Sequence, residues 1–179
     1  LSFLSLMILS FSGVRLFNSL NLSMSLISGG GFLPSDNLSD IISTNPQKIF
    51  LMLFISLSML NFYLVFNLFK KKILFKDHKE DFYLIILSIL LILLIFFNDI
   101  NFIDLIISVL SSLANSGISP LESNNELNLY FLLITIIGGS LVSNSSGIKF
   151  TRFYILLKIT SSEILKLISP NSVINKTIF

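Results

Sequence analysis

The sequence has no cysteine, one histidine and few charged residues, and each shortage excludes a class of function. Without cysteine the chain forms neither a disulfide framework nor a thiolate metal site. Only 12% of its 179 residues are charged, against about 25% in an average soluble domain. His78 lies in a charged segment, where we expect it to be solvated. Since the acidic residues do not cluster and the glycines lack a strand-to-helix context, we expect neither an enzyme nor a resident cofactor.

Apolar residues, by contrast, make up 53% of the chain, which is more than one soluble core needs and typical of a bundle in lipid. The net charge is only +2, and the basic residues form no stripe that suits nucleic acid. We therefore expect membrane lipid as a partner and no nucleic acid. The chain begins inside an apolar run without the layout of a signal peptide, so we interpret it as a segment of a longer protein.

Three apolar stretches are predicted to span a membrane. Residues 49–69 and 127–148 hold 21 and 22 residues without a charge, and residues 82–97 hold 16 that are nearly all Leu, Ile and Phe. A span needs about 20 residues at about 1.5 Å each. The stretch at residues 82–97 therefore qualifies only together with its flanks. Residues 1–11 are predicted to be the end of another span.

Two further apolar stretches are too short to span. Residues 17–27 and 102–113 hold 11 and 12 residues, about half the thickness of a bilayer as helix. A small polar run with glycine and then proline follows each of them. This pattern is typical of a re-entrant half-helix and loop, and an amphipathic helix at the interface followed by a turn is the alternative.

Both short stretches belong to one internal repeat. A shift of 86 residues places Gly31 on Gly117 and Pro34 on Pro120, and it aligns the half-helices as well. The order of elements predicts an all-α membrane protein built from repeated units of span, pore half-helix, filter loop and span. The predicted parts are a pore repeat over residues 1–69 with its first span truncated, a cytoplasmic link over 70–81, a pore repeat over 82–168 whose second span is broken, and the start of another link over 169–179.

Basic residues predict the orientation of these units. Five of the twelve basic residues lie in the short link, which places it in the cytoplasm. They are Lys70, Lys71, Lys72, Lys76 and Lys79. The glycine loops then lie on the outer side of a multi-pass protein of the inner (plasma) membrane. Asp104, a carboxylate in an apolar stretch, is predicted to face either the pore vestibule or the outer headgroups.

The two glycine loops are predicted to form an ion filter from their backbone carbonyls, which replace the water shell of a monovalent cation. Each loop follows a half-helix, so the negative C-terminal end of that helix favours a cation. The filter residues are predicted to be Ser28, Gly29, Gly30 and Gly31 in the first loop and Ala114, Asn115, Ser116 and Gly117 in the second.

A second polar run interrupts the stretch at residues 127–148. It is predicted either to end a helix at the inner surface or to break a longer helix, and a break below the filter would serve as a gate. Its residues are Gly138, Gly139, Ser143, Asn144, Ser145, Ser146 and Gly147.

These motifs resemble the pore subunit of the Trk/Ktr potassium uptake family. Residues 27–32 resemble the Ser-Thr-Gly-Gly-Phe filter of the family's second repeat, and residues 113–118 stand where its third repeat has a threonine-rich run ending in Gly-Phe. Residues 138–152 resemble its intramembrane gating loop, in which a glycine pair precedes Ser-Thr-Gly-Gly-Gly-Ile-Lys and an arginine. Residues 165–173 match its basic and apolar segment ending in proline.

The resemblance implies potassium transport through the second and third of four repeats. It also implies a homodimer and a cytoplasmic nucleotide-binding regulatory subunit. The sequence departs from the family because both filter loops lack threonine and because Ser145 and Ser146 replace two glycines of the gating loop. A multi-span structural or assembly subunit that does not conduct is the alternative function.

Overall fold

The protein is represented by a computed structural model that describes residues 2–35, 37–70, 79–95, 101–120 and 125–168. Within these ranges the regular structure is helical and contains no strand, which confirms the all-α prediction for this part of the chain. The α-helices are α1 (Ser2–Phe11), α2 (Leu16–Ser28), α3 (Asn45–Met59), α4 (Phe62–Phe69), α5 (Lys79–Ile95), α6 (Phe102–Ala114), α7 (Asn125–Ile137) and α8 (Phe150–Ile168). A 3₁₀ turn at Leu38–Asp40 precedes α3.

The 86-residue repeat reappears in two helices of equal length. Helices α2 and α6 have 13 residues each, and both their first and their last residues differ by 86 positions. An extended residue precedes each helix, Arg15 with φ −55° and ψ 137° and Asn101 with φ −56° and ψ 123°. The two short apolar stretches are therefore single helices of about 20 Å.

Helix α3 connects the two repeats. Helix α2 packs against α1 and α3, while α6 packs against α5, α7 and also α3. One hydrophobic cluster runs through these contacts and includes the fully buried Leu51 and Ile55 of α3 with Leu105 and Val109 of α6. Burying each of these side chains contributes about 1.5–3 kcal/mol, so the half-helices lie at the centre of the packed structure.

The stretch at residues 49–69, which is predicted to span a membrane, forms two helices and not one. Helix α3 ends at Met59, Leu60 is extended with ψ 159°, and α4 begins at Phe62. Asn61 causes the break, because its side-chain Oδ1 accepts the N–H of Tyr63 at 2.9 Å and so caps α4. Its own N–H donates to Oδ1 of the buried Asp81 at 3.2 Å, which fixes the break against the start of α5.

The other predicted spans also differ from the described helices. Residues 127–148 cover most of α7 and then leave helical structure, and residues 82–97 lie in α5 as far as Ile95. No helix in the described ranges is at once long enough and apolar enough to cross a membrane. Residues 71–78, which include most of the basic link and His78, and residues 169–179 lie outside the described part of the chain.

An ion pair joins the first turns of α3 and α6. Lys48 Nζ lies 2.6 Å from Asp104 Oδ1, and the two side chains are 21% and 14% exposed. Asp104, for which the sequence left two locations open, is therefore paired with a lysine of the other repeat. Since both partners are largely buried, removing one leaves a charge that is poorly solvated.

We expect Asp104→Asn to destabilise the protein by about 1–3 kcal/mol, because Lys48 then remains charged and unpaired. Exchanging the two residues in Lys48→Asp with Asp104→Lys restores the pair and should recover at least half of the loss. The melting temperature of the detergent-solubilised protein checks both variants. A single variant as stable as the unmutated protein would show that the pair does not hold α3 against α6.

Candidate ion filter and gating loop

Helix α2 ends in the first of the two predicted filter loops. Gly29 adopts the left-handed conformation with φ 65°, and the N–H of Gly30 donates back to the carbonyl of Ser25 at 3.1 Å. This arrangement closes the C-terminus of the helix and turns the chain away from the helix axis. Gly31, with φ 66°, is left-handed as well, and this conformation is unfavourable for residues that have a Cβ.

The second loop repeats this geometry 86 residues later. Asn115 is left-handed with φ 54°, and the N–H of Ser116 donates to the carbonyl of Ser111 at 3.0 Å. Gly117 follows with φ 67°, the counterpart of Gly31. Asparagine is the residue besides glycine that tolerates this conformation best, which explains how Asn115 stands where the first loop has Gly29.

The two loops touch through their backbones. A Cβ added at Gly31 would lie 3.3 Å from Cα of Gly117, and one added at Gly117 would lie 3.1 Å from Cα of Gly31. A Cβ at Gly29 would lie 3.2 Å from the carbonyl oxygen of Asn115. The structure thus places the two glycines beside each other, as the repeat predicts, and leaves no room for side chains between them.

The predicted filter residues do not all lie in irregular loops. Ser28 and Ala114 are the last residues of α2 and α6, and Ala114 is buried in the core. The other six residues follow the helices. Of these, Ser116 is buried, while Gly30 and Gly117 are exposed.

Ser111, which the sequence reasoning missed, holds the second loop in place. Its hydroxyl accepts the N–H of Ile118 at 2.9 Å and shares a hydrogen bond of 2.9 Å with the hydroxyl of Ser116. Ser25 occupies the equivalent position in α2, yet its buried hydroxyl has no hydrogen-bond partner in the part of the chain that the structure describes. The sequence does contain a signal for Ser111, because a serine occupies the same position in both repeats.

The predicted gating loop lies between α7 and α8. The chain is non-helical from Gly138 to Lys149, which includes the stretch where the sequence places a break, and it is helical on both sides. Hydrogen bonds close the loop on itself: Ile148 N–H donates to the carbonyl of Ile136 at 3.1 Å, and Phe150 N–H donates to the carbonyl of Gly139 at 2.9 Å. The loop is therefore an ordered turn.

This loop docks on the break between α3 and α4. Ser140 N–H donates to the carbonyl of Met59 at 3.0 Å, and Phe62 N–H donates to the carbonyl of Val142 at 3.1 Å. A Cβ at Gly139 would lie 2.7 Å from the same Met59 oxygen, so a glycine is needed for the approach. Each repeat therefore has an interrupted helix, and backbone groups at one interruption form hydrogen bonds with backbone groups at the other.

The same loop also lies beside the end of α2 and the second filter loop. Asn144 Nδ2 donates to the carbonyl of Ile27 in the last turn of α2 at 3.0 Å. Asn115 Nδ2 donates to the carbonyl of Thr135 near the end of α7 at 3.1 Å. A Cβ at Gly147 would lie 3.1 Å from that same amide nitrogen. The gating loop is therefore hydrogen-bonded to the last turn of α2 and lies next to Asn115 of the second filter loop.

One side of the first filter loop is open. Phe32 is 79% exposed, and it borders a cavity of about 280 Å³ whose other lining residues are Phe17, Asn21, Leu33 and Pro34. The described part of the chain leaves this side uncovered.

The chain resembles known proteins in both its sequence and its fold. No protein-family profile matches the chain. Over 174 residues the chain is 26% identical to the "Uncharacterized cation transporter MJ1485" of Methanocaldococcus jannaschii, an alignment that covers 96% of this chain and 36% of that protein.

A solved structure specifies the fold further. The chain superposes on the potassium transporter TrkH from Vibrio parahaemolyticus with a TM-score of 0.80 and 21% identity, covering 97% of this chain and 41% of that one. The predicted resemblance to the Trk/Ktr family is therefore confirmed at the level of the fold. In both comparisons the chain spans less than half of its relative's length.

Substitutions at Ser111 and at its counterpart Ser25 test how the second filter loop is held. Ser111→Ala should destabilise the loop by about 1–3 kcal/mol, because Ile118 N–H loses its acceptor in a buried position. Ser25→Ala is the matched control and should be neutral or slightly stabilising, since it removes a buried hydroxyl without a partner. Hydrogen exchange at Ser116–Ile118 and at Gly29–Gly31 measures both. Equal protection in the two variants would contradict the role of Ser111.

Proposed function

We propose that the chain forms two adjacent pore repeats of a membrane transporter for a monovalent cation, with potassium as the ion. The observation that carries the proposal is the contact between two equivalent left-handed loops, with Gly31 against Gly117, at the ends of two equivalent half-helices. The fold of a potassium transporter and the sequence similarity to a cation transporter support it.

The electrostatics of the loops favour a cation. Helices α2 and α6 end at the loops with their C-termini, where each helix contributes about half a negative elementary charge. Their final turns contain no basic residue that would neutralise this potential. Carbonyl oxygens on the turning backbone then supply the ligands that replace water around a monovalent ion.

We assign the filter to the residues from Ser28 to Gly31 and from Ala114 to Gly117, and the gate to the turn between α7 and α8. The gate assignment is supported by the position of the turn, which is hydrogen-bonded to the last turn of α2 and packs against Asn115. A movement of the turn would break a small number of hydrogen bonds and leave the helices intact.

The remaining parts of the transporter follow from the resemblance. We propose two further pore repeats, which would cover the open side at Phe32, together with a homodimer and a cytoplasmic nucleotide-binding subunit. The protein would lie in the inner (plasma) membrane and cross it several times. It would carry no resident cofactor, since potassium is the transported ion.

Gly117→Asp should abolish potassium uptake, because any side chain at this left-handed position meets the backbone of Gly31 at about 3.1 Å. Gly117→Ala should reduce uptake at least tenfold. Gly30→Ala is the matched comparison and should be milder, since Gly30 is not left-handed and the side chains of Phe32 and Ser28 next to it can move.

Potassium-dependent growth of a host that lacks its own uptake systems, scored beside the amount of protein in the membrane, measures all three variants. Full rescue by Gly117→Asp would remove this loop from the permeation path. A lack of rescue by the unmutated protein would favour the structural subunit that does not conduct.

A further inference from the structure

Lys149 is the last residue of the gating loop, and its side chain turns back into that loop. Its Nζ donates to the carbonyl of Ser143 at 3.1 Å and lies 3.5 Å from the hydroxyl of the same residue. It also donates to the carbonyl of Ser145. Three oxygen atoms, two of Ser143 and one of Ser145, therefore surround one ammonium group, and Lys149 is partly buried among them.

The backbone of Lys149 is unusual in a way that matches this contact. Its φ of 75° is left-handed, a conformation that costs a residue with a Cβ about 1–2 kcal/mol. Gly147 is left-handed too, with φ 87°, so two of three consecutive residues adopt this conformation. A strained residue persists where surrounding contacts hold it, and the bonds from Nζ to the loop carbonyls are such contacts.

Carbonyl oxygens that converge on one point form a binding site for a monovalent cation. In this loop the ammonium occupies that point, as a cation of fixed position attached to the chain. Hydrogen bonds from a charged donor are roughly twice as strong as neutral ones, so they add more to the loop than a serine or amide would.

We propose that Lys149 is a tethered cation that holds the gating loop in its blocking conformation by occupying the carbonyl site of Ser143 and Ser145. The inference rests on the proposed gate. It makes Lys149 a positioning residue of that gate, distinct from the filter, and it predicts that the loop opens when the ammonium leaves the site.

Loop opening can be measured without transport. Ser140 belongs to the loop and is fully buried, and its hydroxyl has no hydrogen-bond partner among the described residues, so Ser140→Cys should be tolerated. The chain contains no other cysteine. In the natural protein, Lys149→Met should raise the rate at which a maleimide labels this thiol by about tenfold, since the charged hydrogen bonds are lost.

Lys158→Met on the exposed side of α8 is the matched control and should leave the labelling rate unchanged. The protein without Ser140→Cys corrects for cysteines elsewhere. Labelling of Lys149→Met at or below the control rate would overturn the inference.

Uptake kinetics give the second test. Lys149→Met should raise the maximal rate of potassium uptake severalfold and leave the KM for potassium unchanged, because the filter is not altered. Lys149→Arg keeps the charge and should stay near the unmutated rate. A lower maximal rate, or a changed KM with an unchanged maximal rate, would contradict a blocking role. If the unmutated protein does not transport, the proposed function fails, and the labelling rates still decide whether Lys149 holds the loop.

Discussion

The contact between the backbones of Gly31 and Gly117 is the constraint on which the rest of the structure depends. With a Cβ at either position only 3.1–3.3 Å from the other glycine's Cα, the two loops lie in contact and nothing larger than glycine fits between them. To reach this contact, two half-helices must end at the same level and turn in the same way. Their equal lengths and equivalent left-handed caps meet that requirement.

The other contacts follow from holding these loops together. Helix α3 packs against both half-helices, and the pair of Lys48 and Asp104 fixes the starts of α3 and α6. At the other end of α3, the break at Asn61 gives up backbone groups that the gating loop satisfies. The loop then contacts α2 through Asn144 and is held by its own Lys149. A single hydrogen-bonded unit thus links the first repeat, the second repeat and the loop between α7 and α8.

Much of this arrangement was predictable because it depends on local pattern. The lengths of the apolar stretches predicted two short helices, and the 86-residue shift predicted that Gly31 and Gly117 lie together. The polar run after residue 137 predicted the loss of helix. In each case the information lies in residues that are neighbours in the chain or in a repeated order of elements.

The remaining features depend on partners far away in the chain, which periodicity does not report. Asn61 lies in an uncharged run that is compatible with a span, and its backbone N–H binds Asp81, which lies 20 residues further on. Asp104 was noticed as a carboxylate in an apolar stretch, but Lys48, its partner, is 56 residues away. Ser111 and Lys149 look like ordinary polar residues until the fold of their loops gives them carbonyls and N–H groups to bind.

The most direct test of the account is to locate the ion in the natural protein. Thallium and rubidium replace potassium and are visible by anomalous scattering in crystals of the protein. We predict an anomalous peak next to the carbonyls of the two loops that contain Gly31 and Gly117, with both glycines still left-handed and in contact. Well-ordered loops without a peak, at thallium concentrations that saturate a potassium transporter, would show that these loops do not form an ion filter.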